Sequence, residues 1–347
     1  MTGAMRAAVF EGNGRLAITE RPIPRIVRPD DVLIEVEACG ICGTDVHILE
    51  TPPGHPATAG TILGHEVIGI VRENGAEAFG AEIGDRVAVA PNLSCGACAW
   101  CRRGLTNHCE NFTTLGIFRD GGLASFVVAP ARACHAISRR LPREIAALAE
   151  PVSCVVNGIE QARLLPGEHV AIIGAGPIGL IFLALLRAAG AGRAVVVEPG
   201  EARRQLAKRL GADACVDPAG GPVAEQIVDA LGGSGADVVV DAVGNQMATA
   251  IASARKGGRV LLFGMDANAT TEVRQFDITR NELTVFGTYV GANTFPRAIQ
   301  ALESGAVDLS PIVTDRVGLE QLPGAIEALR DGRAVKVVVD LMEEADA

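Results

Sequence analysis

Residues 169–190 read HVAIIGAGPIGLIFLALLRAAG, and the fold is decided in this stretch. Its opening run is apolar, is too short for a helix and stops at Gly174; after Gly179 a second apolar run continues at helical length. A buried strand that turns through glycines straight into a helix makes a seat for a pyrophosphate. Gly174 permits the tight turn, Gly176 lets backbone amides approach the anion, and Gly179 lets the helix pack closely with its N-terminus facing the charge. Alone, GAGPIG could serve only a turn; its flanks give it meaning. Outward from it, HVAIIG, RAVVVE, ACVD, ADVVVDAV, GRVLLFG and LTVFGTYV alternate with helix-like stretches. That order predicts an α/β architecture with a doubly wound parallel sheet. Glu198 ends RAVVVE about twenty residues beyond the glycines, where its carboxylate would accept the adenosine ribose hydroxyls and repel a 2′-phosphate. NAD is therefore expected over NADP. Arg203 and Arg204, in EARRQLAKRLG, are the contrary signal, since the pair could bind that phosphate or merely be solvated on a helix face.

On the N-terminal side the chain is β-rich. Alternating or short apolar runs occur at Arg6 to Phe10, Asp31 to Ala38, Glu66 to Glu73, Arg86 to Pro91 and Ala124 to Ala129, punctuated by Gly and Pro. Helical spacing takes over from Glu144 to Leu165 and marks a boundary. With 347 residues and 48% hydrophobic content, two cores are expected. The expected division is 1–153 for a β-rich domain, 154–288 for the dinucleotide-binding domain and 289–347 for a mixed segment that returns to the first. A formal charge of −10 gives no attraction to phosphate backbones, and 3% aromatic residues are too few for base stacking, which excludes a nucleic-acid partner. The start, MTGAMRAAVF, lacks a secretory pattern, and Gly and Pro break every apolar stretch before ~18 residues. No membrane partner and a cytoplasmic location are expected.

Cys95, Cys98, Cys101 and Cys109, in CGACAWCRRGLTNHC, have the spacing of a closed thiolate site. Two-residue gaps aim successive sulfurs at one centre, and four Zn–S bonds of ~2.3 Å leave no open position, so this zinc would hold a loop and not catalyse. Free or disulfide-paired thiols are the other reading, and adjacent cysteines so spaced pair poorly with one another. The odd total of nine cysteines agrees with reduced thiols.

A second group lies in CGICGTDVH and LGHEVIG, which offer Cys42, Thr44, Asp45, His47, His65 and Glu66. Sulfur, imidazole and carboxylate together suit an open zinc site, where a free position acidifies a bound hydroxyl. No second His stands four places beyond His65, so this is not the metalloprotease pattern HExxH. Taken alone, His65 and Glu66 could be an ordinary strand-end pair, and Cys42 a small buried hydrophobe.

Together GICGTDVH, GHE, the four-cysteine lobe, AEPVSC and GAGPIG resemble the zinc-dependent medium-chain dehydrogenase/reductase family over nearly the whole chain, its polyol (sorbitol-type) branch best. The resemblance implies a GroES-like catalytic domain interrupted by a Rossmann domain, with the active site in the cleft between them. It implies an oxidoreductase that moves hydride between NAD and a polyol, sugar alcohol, cyclitol or secondary alcohol, with two zinc ions per chain. Cys42 and His65 would be ligands, Glu66 in or next to the ligand set, and Asp45 the group that orients His65. Glu150 falls where dimeric alcohol dehydrogenases of the family carry a third cysteine, and sorbitol-type members carry Glu. Cys154 then reads as helix packing, and Cys39 as no redox partner of Cys42. Thr44 would hydrogen-bond the alcohol and pass its proton through the cofactor ribose to His47. Cofactor contacts are implied for Pro177, Ile178, Glu198, Arg203, Gly264, Thr288 and Tyr289 beside the three glycines. Val290 stands where vertebrate sorbitol dehydrogenases have arginine, which disfavours sorbitol itself. Relatives pair as homotetramers or homodimers. The alternatives are L-threonine dehydrogenase chemistry, with Arg119 or Arg280 as candidate cations for the carboxylate, a nucleotide-binding protein without catalysis, and a zinc-ribbon module.

Overall fold

A computed structural model describes residues 3–342; residues 1, 2 and 343–347, the outer ends of the first and last expected segments, lie outside the described residues. The chain divides into two compact units, one of residues 1–153, 291–303 and 313–347, the other of 154–290 and 304–312. Residues 304–312, expected with the first unit, group with the second.

The second unit is built on six parallel strands lying side by side in the order Ala214–Val216, Ala194–Val197, Val170–Ile173, Ala236–Asp241, Ala254–Leu262, Thr284–Gly287. Val170–Ile173 and Ala194–Val197 are buried at every position, as strands covered by helices on both faces must be. The order reverses at Val170–Ile173, the switch point outside whose strand ends such sheets bind ligands. Register pairs Ile173 with both Val197 and Asp241, so Gly174, Glu198 and Ala242 leave the sheet together. Asp241 fixes the turn that follows it: its carboxylate accepts N–H bonds from Val243 and Gly244, both at 2.9 Å, and from Gln246 at 2.8 Å.

In the first unit the large sheet runs Val313–Gly318, Lys336–Asp340, Asp31–Gly40, Glu66–Asn74, Arg86–Val89, Cys134–Ala136, and Phe126–Pro130 also pairs with Asp31–Gly40. Val32, Ile34 and Val36 alternate along the central strand into one apolar cluster with Val67, Val87, Val337 and Val339. Gly40, at the end of that strand, lies between Glu66 on one neighbour and Val338 on the other. The backbone N–H of Ile41 donates to Val337 O at 3.0 Å, which fastens the late strand to the segment entering Cys42. Among the described residues no helix is long and apolar enough to cross a membrane.

Candidate active site

Cys42 caps the short helix Gly43–Ile48, and its N–H donates to Asp45 Oδ2 at 2.9 Å, so one residue of that helix pins the cysteine. His65 ends the loop entering Glu66–Asn74, and Glu66 is the first residue of that strand. The structure brings Cys42 Sγ, a His65 ring nitrogen and a Glu66 carboxylate oxygen within 4.8 Å of one another. Two buried polar atoms here, His65 Nδ1 and Asp45 Oδ1, lack hydrogen-bond partners, and Glu66 Oε2 is met by the ammonium of Lys336. The first two face each other at 3.7 Å, which turns the other ring nitrogen of His65 toward Cys42. Burial pushes the Asp45 carboxyl up from its ordinary value. At His65 burial is the largest influence and lowers the pKa, but the charges of Asp45 and Cys42 outweigh it and push the imidazole well up. Sulfur, nitrogen and oxygen donors converging at one point, with His65 Nδ1 and Asp45 Oδ1 buried and unpaired beside them, fit a divalent cation of the zinc type.

Glu150, in the first turn of the helix Ala149–Ala162, is buried but lies outside the 4.8 Å group; its charge nonetheless reaches His65. Sequence reasoning missed Lys336. Its side chain is 2% exposed and Glu66's 1%, and Nζ donates to Glu66 Oε1 at 2.5 Å and to Ile41 O at 2.9 Å. Burial acts to lower its pKa, and the charges of Glu66 and Cys42 more than reverse this. The only signal in the sequence was a lone lysine opening the apolar strand KVVVD. Thr44 and His47 share a face of Gly43–Ile48; Thr44 is half-buried, and His47 is exposed with Nδ1 2.9 Å from Glu50 Oε1. Cys154 is buried in its helix. Cys39 is buried too, which pushes its thiol well up and leaves it unreactive.

Cys95, Cys98, Cys101 and Cys109 also converge within 4.8 Å. Backbone N–H groups point at the sulfurs: Cys95 to Cys109 Sγ at 3.2 Å, Cys98 to Cys95 Sγ at 3.3 Å and Asn111 to Cys109 Sγ at 3.3 Å. Such bonds, from Ala97 and Cys98 first, lower the Cys95 thiol to about 6. They also lower Cys98, whereas Cys101, dominated by burial, stands at about 11.

In the second unit, the helix Pro177–Ala188 starts at Gly176 without a side-chain cap, which leaves its first N–H groups for an anion. A Cβ on Gly179 would overlap the carbonyl oxygen of Gly174, so only glycine lets helix and turn approach this closely. Glu198 Oε2 accepts from Ala175 N and Oε1 from Gly200 N, both at 2.9 Å. Arg204 is committed: it donates to Glu198 O at 2.8 Å and Pro199 O at 2.6 Å and pairs with Glu201 and Asp217. Gly264 donates to Asp241 O at 2.9 Å, against the Val243–Gly244 turn. Thr288 Oγ1 accepts from Asn157 Nδ2 at 2.9 Å and Gln161 Nε2 at 3.0 Å, and Tyr289 is exposed. Arg280 is exposed, with its guanidinium 5.9 Å from the ring of Phe276.

Comparison with known proteins follows the same two-part division. Residues 28–139 match the alcohol dehydrogenase GroES-like domain, and residues 177–304 match the zinc-binding dehydrogenase domain. The chain is 37% identical to sorbitol dehydrogenase of Arabidopsis thaliana, covering 96% of this chain and 95% of that protein. It is 35% identical to L-threonine 3-dehydrogenase of Pyrococcus horikoshii, covering 89% and 91%. A zinc-binding dehydrogenase of Sinorhizobium meliloti 1021, solved with NADP bound, superposes with a TM-score of 0.92 at 35% identity, covering 97% of this chain and 99% of that one.

Proposed function

As a member of the zinc-dependent medium-chain dehydrogenases, on their polyol branch, this chain is a zinc- and nicotinamide-dependent alcohol oxidoreductase, and we propose a polyol, sugar alcohol, cyclitol or secondary alcohol as its substrate and NAD as its acceptor. The observation that carries this reading is the convergence of Cys42, His65 and Glu66 on one buried point beside unpartnered polar atoms. Those three residues would hold the catalytic zinc, with Asp45 orienting His65 and Glu150 adding negative charge from its helix. When bound, zinc supplies the Lewis acidity that brings an alcohol hydroxyl toward ionisation near neutral pH. Thr44, half-buried, would accept the alcohol's hydrogen bond, and His47 would take up the released proton on its way to solvent. His47 is exposed and engaged with Glu50 through Nδ1, so its Nε2 is free to hand the proton to water. Cys95, Cys98, Cys101 and Cys109 would hold the second zinc, as a brace.

The preference for NAD rests on Glu198 and Arg204. Each Glu198 oxygen spends one lone pair on a backbone N–H and keeps another for a ribose hydroxyl, and Arg204 is tied to its own strand end and so offers nothing to a 2′-phosphate. Gly174, Gly176, Pro177, Ile178, Gly179, Arg203, Gly264, Thr288 and Tyr289 would complete the cofactor seat. An uncharged polyol suits the site better than an amino acid, because the cation buried at the cluster, Lys336, is committed to Glu66, and Arg280 faces Phe276. The same reading makes the protein cytoplasmic and a homotetramer or homodimer, paired along Thr284–Gly287, the outermost strand of its sheet. The test is a panel of polyols, cyclitols, secondary alcohols and L-threonine with NAD and NADP, read by nicotinamide absorbance beside metal analysis. NADH formation from a polyol and two zinc ions per chain are expected. A single zinc per chain, or turnover of threonine alone, overturns the proposal.

A further inference from the structure

Lys336 touches both metal-binding turns at once. Ile41, whose carbonyl it binds at 2.9 Å, immediately precedes Cys42, and Glu66, whose carboxylate it binds at 2.5 Å, immediately follows His65. Both carboxylate oxygens of Glu66 pair with this one ammonium. Gly40 also abuts the carboxylate, and a Cβ there would overlap Glu66 Oε2. Glu66 is thus in contact with both a cation and a bare backbone. A buried ammonium is costly to desolvate, and an apolar side chain of similar volume often serves packing as well or better. The charge therefore has a use beyond packing, and the group it faces is one of the three donors.

We propose that Lys336 is a positioning residue that draws the Glu66 carboxylate back from the ion held by Cys42 and His65, so that the ion is bound less tightly than the three side chains alone would bind it. This rests on the metal reading above, so zinc is first counted in the unaltered protein; an ion at the four-cysteine lobe alone overturns that reading and this inference together. With two zinc ions present, the measurement is the phase of zinc release to a chelator that is absent from Cys42→Ser. Lys336→Met is expected to slow that phase on the order of tenfold and to shift the visible spectrum of the cobalt(II)-substituted protein. Both effects vanish in a Glu66→Gln background if the lysine acts through that carboxylate. Unchanged or faster release, an unchanged spectrum, or an effect that persists in Glu66→Gln overturns this inference while the metal reading stands. Where circular dichroism shows Lys336→Met unfolded, Lys336→Arg decides: a guanidinium fork, holding both oxygens harder, is expected to speed release and shift the spectrum. Unchanged release together with an unchanged spectrum in that variant overturns the inference.

Discussion

Cys42 is the one sulfur of the buried cluster, held in place by Asp45 through its own backbone N–H. Cys42→Ser is expected to abolish turnover while leaving NADH binding, followed by fluorescence titration, nearly intact; loss of both would mean that the fold itself had failed. Glu198→Ala should weaken NAD by roughly 10–100-fold, the worth of one or two hydrogen bonds to a charged group, and leave NADP much less affected. Equal loss of the two cofactors, measured as separate dissociation constants, would remove the basis for the preference. These residues were legible because each stands inside a short segment of distinctive chemistry: a thiol beside a Thr-Asp-Val-His run, a His-Glu pair, an acid at the end of an apolar strand. Lys336 was not legible. A lysine in an apolar run usually lies at a strand end in water, and only the sheet order, with Asp31–Gly40 between Lys336–Asp340 and Glu66–Asn74, shows it reaching Glu66, 270 residues earlier in sequence.

The turn from Val170–Ile173 into Pro177–Ala188 depends on a backbone-to-backbone approach that no side chain can relieve. Gly179→Ala is expected to cost dinucleotide binding more than it costs the melting temperature of the metal-bearing unit, by titration against calorimetry. At the next strand end, the Asp241 carboxylate accepts three backbone N–H bonds while buried. Asp241→Ala orphans those donors and should lower stability by about 2–4 kcal/mol, seen as an earlier thermal transition. In the cysteine lobe the thiols differ. With zinc stripped, Cys95, at about 6, is ionised above that pH and Cys101, at about 11, is not. Iodoacetamide near pH 7 should therefore label Cys95 first, and labelling should fall away as pH drops below about 6; mass spectrometry of the peptides reads the order. Parallel strands declared themselves as unbroken apolar runs. Arg15–Pro22 did not, because its charged ends and largely half-buried middle follow no clean alternation, and only its antiparallel pairing with Ala4–Gly12 makes it a strand.

Each unit forms a core of its own, and each carries one half of the proposed chemistry: the proposed metal donors in the first, the proposed pyrophosphate turn in the second. Removing zinc with a chelator should accordingly abolish turnover while NADH still binds; loss of cofactor binding at the same rate would argue that the two halves do not fold independently. Residues 304–312, expected with the first unit, group with the second, since the apolar residues of so short a stretch, such as Leu309 and Ile312, carry no mark of which core they join. Cys42, His65 and Glu66 emerge early from the ribosome, yet the ammonium that partners Glu66 belongs to Lys336–Asp340, translated only after the whole of 154–290. The whole of the nucleotide-binding half is thus synthesised before the counter-charge of Glu66 leaves the ribosome.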